Sequence, residues 1–93
     1  MNNNSREMTS LDIAEITGKR HGHVKRDIQK MFHALNLGTP KFGYVPKNRQ
    51  NQGVTAYSLD EDLTFSLISK YSVQMHQAVT KRWQELEALD VKF

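Results

Sequence analysis

Residues 8–32 read MTSLDIAEITGKRHGHVKRDIQKMF, two helical stretches divided by a glycine. Ser10 suits the N-cap of the first. Its hydroxyl can accept from the free N–H groups of the next turn, and Asp12 and Glu15 suit the positive end of the helix dipole. Leu11, Ala14 and Ile13 or Ile16 supply an apolar face. Thr17-Gly18 ends this helix, because glycine takes the left-handed conformation at little cost. A second helix is expected from near His21 to about Leu35. Val24, Ile28, Met31 and Leu35 recur at i, i+4, i+7 and i+11, which makes one buried stripe. His23, Lys25, Arg26, Gln29, Lys30 and His33 fall off that stripe.

Upstream, residues 1–7 are polar and unpatterned and read as a flexible arm, followed by a short extended piece at Met8-Thr9. Downstream, Asn36-Leu37-Gly38-Thr39-Pro40 closes the second helix. Phe42, Tyr44 and Val45 lie before Pro46, and Val54, Ala56, Tyr57 and Leu59 lie after Gly53. These two runs of strand formers predict a β-hairpin whose polar, basic tip spans residues 47–52. An isolated hairpin is marginal in water, so it must pack on the helices or take Met8-Thr9 as a third strand. Tyr44 and Tyr57 are expected as a cross-strand pair. Asp60 suits the cap of a third helix with Leu63, Leu67 and Ile68 on its apolar side, joined by Phe65 or Tyr71. After a break near Tyr71-Ser72, a fourth helix is expected over about residues 73–89.

The chain has 93 residues, enough for one domain over residues 8–93 that buries roughly 65% of its unfolded surface. Cysteine is absent, which excludes disulfides, thiolate metal sites and cysteine nucleophiles. No apolar run exceeds three residues, so no membrane span is expected, and the N-terminus has no apolar stretch of the secretory kind. The net charge of +3 hides an uneven distribution. Residues 18–50 carry eight basic side chains against Asp27 alone, whereas the segments on either side are each about −2. A basic block of this kind suits a polyanion, and nucleic acid is the commonest in a cell.

Short helix, tight turn, longer basic helix and basic-tipped hairpin follow one another in the order of a winged helix-turn-helix. The expected fold is therefore α+β. In this motif the second helix enters the major groove of double-stranded DNA. Gly22 lets the backbone approach phosphate, and the helix N-terminus adds partial positive charge there. Lys19, Arg20, His21, His23, Lys25, Arg26, Gln29 and Lys30 are the candidate DNA contacts. Arg pairs bidentately with guanine and Gln with adenine. Lys47 and Arg49 on the hairpin tip could grip a neighbouring phosphate or enter a minor groove.

The stretch from Met8 to Phe32 also resembles the N-terminal region of the phage Rha regulatory protein family. The matching elements are the Thr-Ser start, Ile13-Ala14, Thr17-Gly18-Lys19-Arg20-His21, His23-Val24 and Arg26-Asp27-Ile28. The hairpin closing on Tyr57-Ser58-Leu59 before acidic residues is similar too, as is a last helix ending in an aromatic and Leu86-Glu87. Where the family usually has a glycine-containing turn before that helix, this chain has Lys70-Tyr71-Ser72-Val73. Many members carry a second C-terminal domain that these 93 residues do not include. The resemblance implies a phage or prophage regulator that binds DNA, in the cytoplasm of a host cell and associated with its nucleoid.

Other readings of single residues are weaker. His21 and His23 form a His-x-His pair, but no thiolate or clear carboxylate partner completes a metal set. His21 suits capping or packing in the turn, and either histidine could contact DNA. Asp27 is expected in an ion pair with Lys19, Arg20 or Arg26. Met75, Val79, Trp83 and Leu86 on the last helix are candidates for a homodimer interface, which would place two second helices on a pseudo-palindrome. No phosphate loop, paired carboxylates or nucleophile–base arrangement is visible, so neither an enzyme nor a cofactor is expected. Two alternatives to a transcriptional regulator are an excisionase-type factor that bends DNA and an antirepressor that binds a phage or host regulatory protein. The acidic, apolar C-terminal half motivates the second.

Overall fold

The structure is a computed structural model that describes residues 6–46 and 53–90. The chain runs β1 (Met8–Thr9), α1 (Ser10–Thr17), α2 (His21–Ala34), β2 (Phe42–Pro46), β3 (Gly53–Leu59), α3 (Glu61–Ile68) and α4 (Val73–Asp90). Four helices and a three-stranded antiparallel sheet of order β1-β3-β2 make an α+β fold consistent with the winged-helix class.

Local chemistry accounts for the element ends, with one correction at α1. Thr9, not Ser10, is its N-cap. The Asp12 N–H donates to Thr9 Oγ1 at 3.1 Å, and the Thr9 N–H donates to Asp12 Oδ2 at 3.3 Å, a reciprocal capping box. Ser10 is fully buried instead. Its hydroxyl accepts the Tyr57 N–H at 2.9 Å and is hydrogen-bonded to His21 Nε2 at 2.8 Å. One side chain thus joins α1, the sheet and the start of α2. Gly18 ends α1 at φ 79°, donating its N–H to Ala14 O at 2.9 Å.

Helix α2 buries Val24, Ile28, Met31 and Phe32. The expected stripe continued to Leu35, but Leu35 is half exposed and caps the helix. The chain leaves the helical path at Asn36, whose φ of 61° turns it away, so Phe32 takes the last core position in place of Leu35. Asn tolerates this left-handed conformation better than most residues.

Strands β2 and β3 pair antiparallel as expected, the tip at residues 47–52 lying outside the described residues, and Met8-Thr9 joins them as the third strand, pairing with Leu59 and Ser58. Its register sets Phe42 opposite Tyr57 and Tyr44 opposite Thr55, so the expected Tyr44–Tyr57 pair is offset by two residues. Asp60 caps α3 by accepting the Leu63 N–H at 2.9 Å. On α3 it is Thr64 that is fully buried beside Leu67 and Ile68, with Leu63 only partly covered. The core gathers Met8, Ile13, Val24, Ile28, Leu59 and Trp83, with Leu67 and Ile68 added by α3. Within the expected arm, Arg6 and Glu7 are docked. The Arg6 guanidinium lies 5.9 Å over the Trp83 ring, and Lys41 Nζ reaches Glu7 Oε2 at 2.8 Å. Residues 1–5 lie outside the described residues.

Candidate nucleic-acid interface

Burying the Val24-Ile28-Met31 stripe turns the opposite side of α2 to solvent. His23, Arg26, Gln29 and Lys30 are exposed there, and Lys25 is partly covered. Among the described residues, the Arg26 and Lys30 side chains have no hydrogen bond or ion pair. The sheet borders one flank of this face. Gln29 Nε2 donates to Tyr57 Oη at 2.6 Å, and Lys25 Nζ lies 5.7 Å over the Tyr57 ring. Tyr57 on β3 therefore fixes the relation between the basic face and the hairpin. It also leaves the second Gln29 amide hydrogen and the amide oxygen available, the pair that a bidentate adenine contact uses.

The end of α3 borders the other flank. Tyr71 Oη donates to Asp27 Oδ2 at 2.8 Å, and Lys19 Nζ lies 4.7 Å over the Tyr71 ring. Burial raises the Tyr71 phenol well above its ordinary pKa, and the Asp27 hydrogen bond and negative charge push it further the same way. Asp27 was expected to pair with a cation. Tyr71 takes that carboxylate instead, because α3 ends beside α2 and places a hydroxyl donor at bonding distance. A pocket of about 240 Å³ opens here between Lys19, Lys30 and Lys70.

The remaining expected contacts divide. His21 packs in the turn on Ser10, one of the two placements its position suggested. Arg20 is exposed at the N-cap of α2 and makes no side-chain cap bond. Gly22 is exposed with open space where a Cβ would sit. Lys47 and Arg49 lie outside the described residues. Of the residues expected at a dimer interface, Val79 and Trp83 are fully buried in the chain's own core and offer no surface to a second copy. The reason is that α4 packs on α1 and α3, where Trp83 meets the Phe65 ring at 5.9 Å. Leu86 packs against the same core, and Met75 is partly covered.

A family model for the phage regulatory protein Rha matches residues 8–88. The chain belongs to that family. No curated protein and no solved structure matches it. The Rha match runs from β1 almost to the end of α4, so it takes in the basic face of α2 and both of its flanks. Among the described residues, no helix is long and apolar enough to cross a membrane. Tyr57, Lys70 and Tyr71 were not among the contacts expected from sequence. Tyr57 carried a signal, an aromatic at the closing end of the hairpin. Lys70-Tyr71 carried a fainter one, a cation and an aromatic just past a helix end.

Proposed function

We propose that this Rha-family chain is a phage or prophage transcriptional regulator that binds double-stranded DNA. In this reading α1 and α2 act as a helix-turn-helix, α2 enters the major groove, and the β2–β3 hairpin is a wing on the backbone. The observation that carries it is the exposed Arg26-Gln29-Lys30 face of α2, set beside the hairpin by Tyr57. An α-helix with its side chains is about 10–12 Å across, which fits a major groove of about 12 Å. Arg26 and Gln29 read base edges, while Arg20, His23 and Lys30 hold phosphates. A homodimer on a pseudo-palindromic operator would use surfaces other than Val79 and Trp83.

Selection of binding sites from a random duplex pool tests this reading. The parent should enrich a defined sequence. The double variant Arg26→Ala, Gln29→Ala should bind that sequence at least about 30-fold more weakly, since each of the two bidentate contacts is worth about 1–3 kcal/mol of discrimination. Unchanged affinity in the double variant would remove α2 from the reading role. A complex that bends DNA in a permuted-site assay would instead favour the excisionase-type reading. Capture of a regulatory protein without any duplex binding would favour the antirepressor.

A further inference from the structure

We infer that the pocket between α2 and the end of α3 binds a backbone phosphate of DNA on the strand opposite the one the hairpin meets, with Lys70 as a direct contact. This rests on the DNA-binding reading above. The pocket is lined by Lys19, Lys30, Lys70, Asp27, Leu67 and Tyr71. Three ammonium groups thus face one carboxylate. That carboxylate accepts the Tyr71 hydroxyl, and among the described residues no ion pair joins it to any of the three lysines. The pocket keeps a net positive charge of about two, which suits a phosphodiester. Lys19 is held over the Tyr71 ring, which fixes one ammonium at the rim. Lys30 on α2 and Lys70 in the turn after α3 are both exposed and line the pocket from different elements.

Its position on α2 sets which phosphate it would meet. Asp27 is two residues from both Lys25 and Gln29, about 200° around a helix, so the Tyr71 flank and the Tyr57 flank lie on opposite sides of the exposed face. A helix seated in the major groove has a sugar–phosphate wall along each side. The hairpin stands at one wall, and the lysine pocket faces the other. Lys70 lies outside the helix-turn-helix, so it extends the interface onto the turn after α3.

The test is fluorescence anisotropy with a 25-base-pair duplex over a range of salt, using the parent, Lys70→Gln and Lys81→Gln. Lys81 is an exposed α4 lysine away from the pocket and controls for a loss of general charge. Each neutralised phosphate contributes about −0.9 to the slope of log affinity against log salt. Lys70→Gln should flatten the slope by about 0.9 and weaken selected and random duplexes alike, while Lys81→Gln keeps the parent slope. A parent that binds duplex beside a Lys70→Gln variant of unchanged slope overturns the pocket and leaves DNA binding standing. Equal flattening by both variants overturns it too, as a bulk charge effect. A parent that binds no duplex overturns the reading beneath it. If inorganic phosphate then shifts the Lys70 and Tyr71 resonances, the pocket belongs to a free phosphate ligand and the DNA source is wrong.

Discussion

Helices α2 and α4 each bury one apolar side, and their polar sides are furnished in opposite ways. On α4 the polar groups bond along the helix. Arg82 Nη1 donates to Glu85 Oε1 at 3.2 Å, Trp83 Nε1 donates to Glu87 Oε2 at 3.1 Å, and Thr80 Oγ1 lies 3.4 Å from His76 Nδ1. On α2 the side chains of the central Arg26 and Lys30 bond to nothing among the described residues, while Gln29, Lys25 and Asp27 at its edges are held by tyrosines from the sheet and from beyond α3. Helix α4 pairs Arg82 with Glu85 along its own length and completes the core. Helix α2 has its edges held and leaves the side chains at its centre exposed. The contrast separates residues that stabilise the chain from residues proposed to act for it.

The sharpest break of that contrast is Trp83→Ala. Removing a buried aromatic of this size costs about 3–5 kcal/mol, and a small domain has little more than that in reserve. Urea unfolding should show a loss of this order, whereas the Arg26→Ala, Gln29→Ala variant should unfold within about 0.5 kcal/mol of the parent. Comparable destabilisation in both would erase the division of labour between α2 and α4.

A smaller effect is expected at Ser10, which supports α2 from beneath. Ser10→Ala leaves the Tyr57 N–H without its acceptor and His21 without its hydroxyl partner. The cost should be about 1–3 kcal/mol in urea unfolding, typical of an orphaned buried donor. Because the start of α2 is freed as well, duplex affinity measured under folded conditions should also fall. Lost stability with full affinity would show that Ser10 does not position α2.

The smallest effect is the pH dependence set by Tyr71. Its folded pKa is raised above the unfolded value of about 10, so its contribution is fully present below that pH and is lost as pH rises through the folded value. Lys19, Lys30, Lys70 and Asp27 face the same pocket, so the comparison must be made against Tyr71→Phe, which keeps all four. Above about pH 10 the parent should lose stability more steeply than Tyr71→Phe. Parallel curves would mean that the phenol and Asp27 are not coupled in solution.

Much of the fold was legible because its signals are local. Gly18, Asp60 and the 3.6-residue spacing of Val24, Ile28 and Met31 each act within a turn or two, and each element formed where they placed it. The basic face of α2 follows from that spacing by exclusion. What the sequence hid depends on contacts between distant residues. Thr9 and Ser10 are both competent caps, and only the fold decides that Ser10 is needed under Tyr57, 47 positions away. Asp27 has cations as neighbours in sequence, yet its partner comes from 44 positions on. Val79 and Trp83 have the pattern of an interface and of a core alike, and packing against α1 and α3 resolves it.

The central claim is that the open face of α2 serves DNA, and the salt dependence of binding to a random 25-base-pair duplex tests it most directly. A protein that neutralises about four phosphates gives a log–log slope near −3.6. Tight binding at low salt with a slope of that size is the expected result. Absence of binding at low salt would contradict it, and would leave Arg26 and Lys30 as solvated surface on a chain whose partner is a protein.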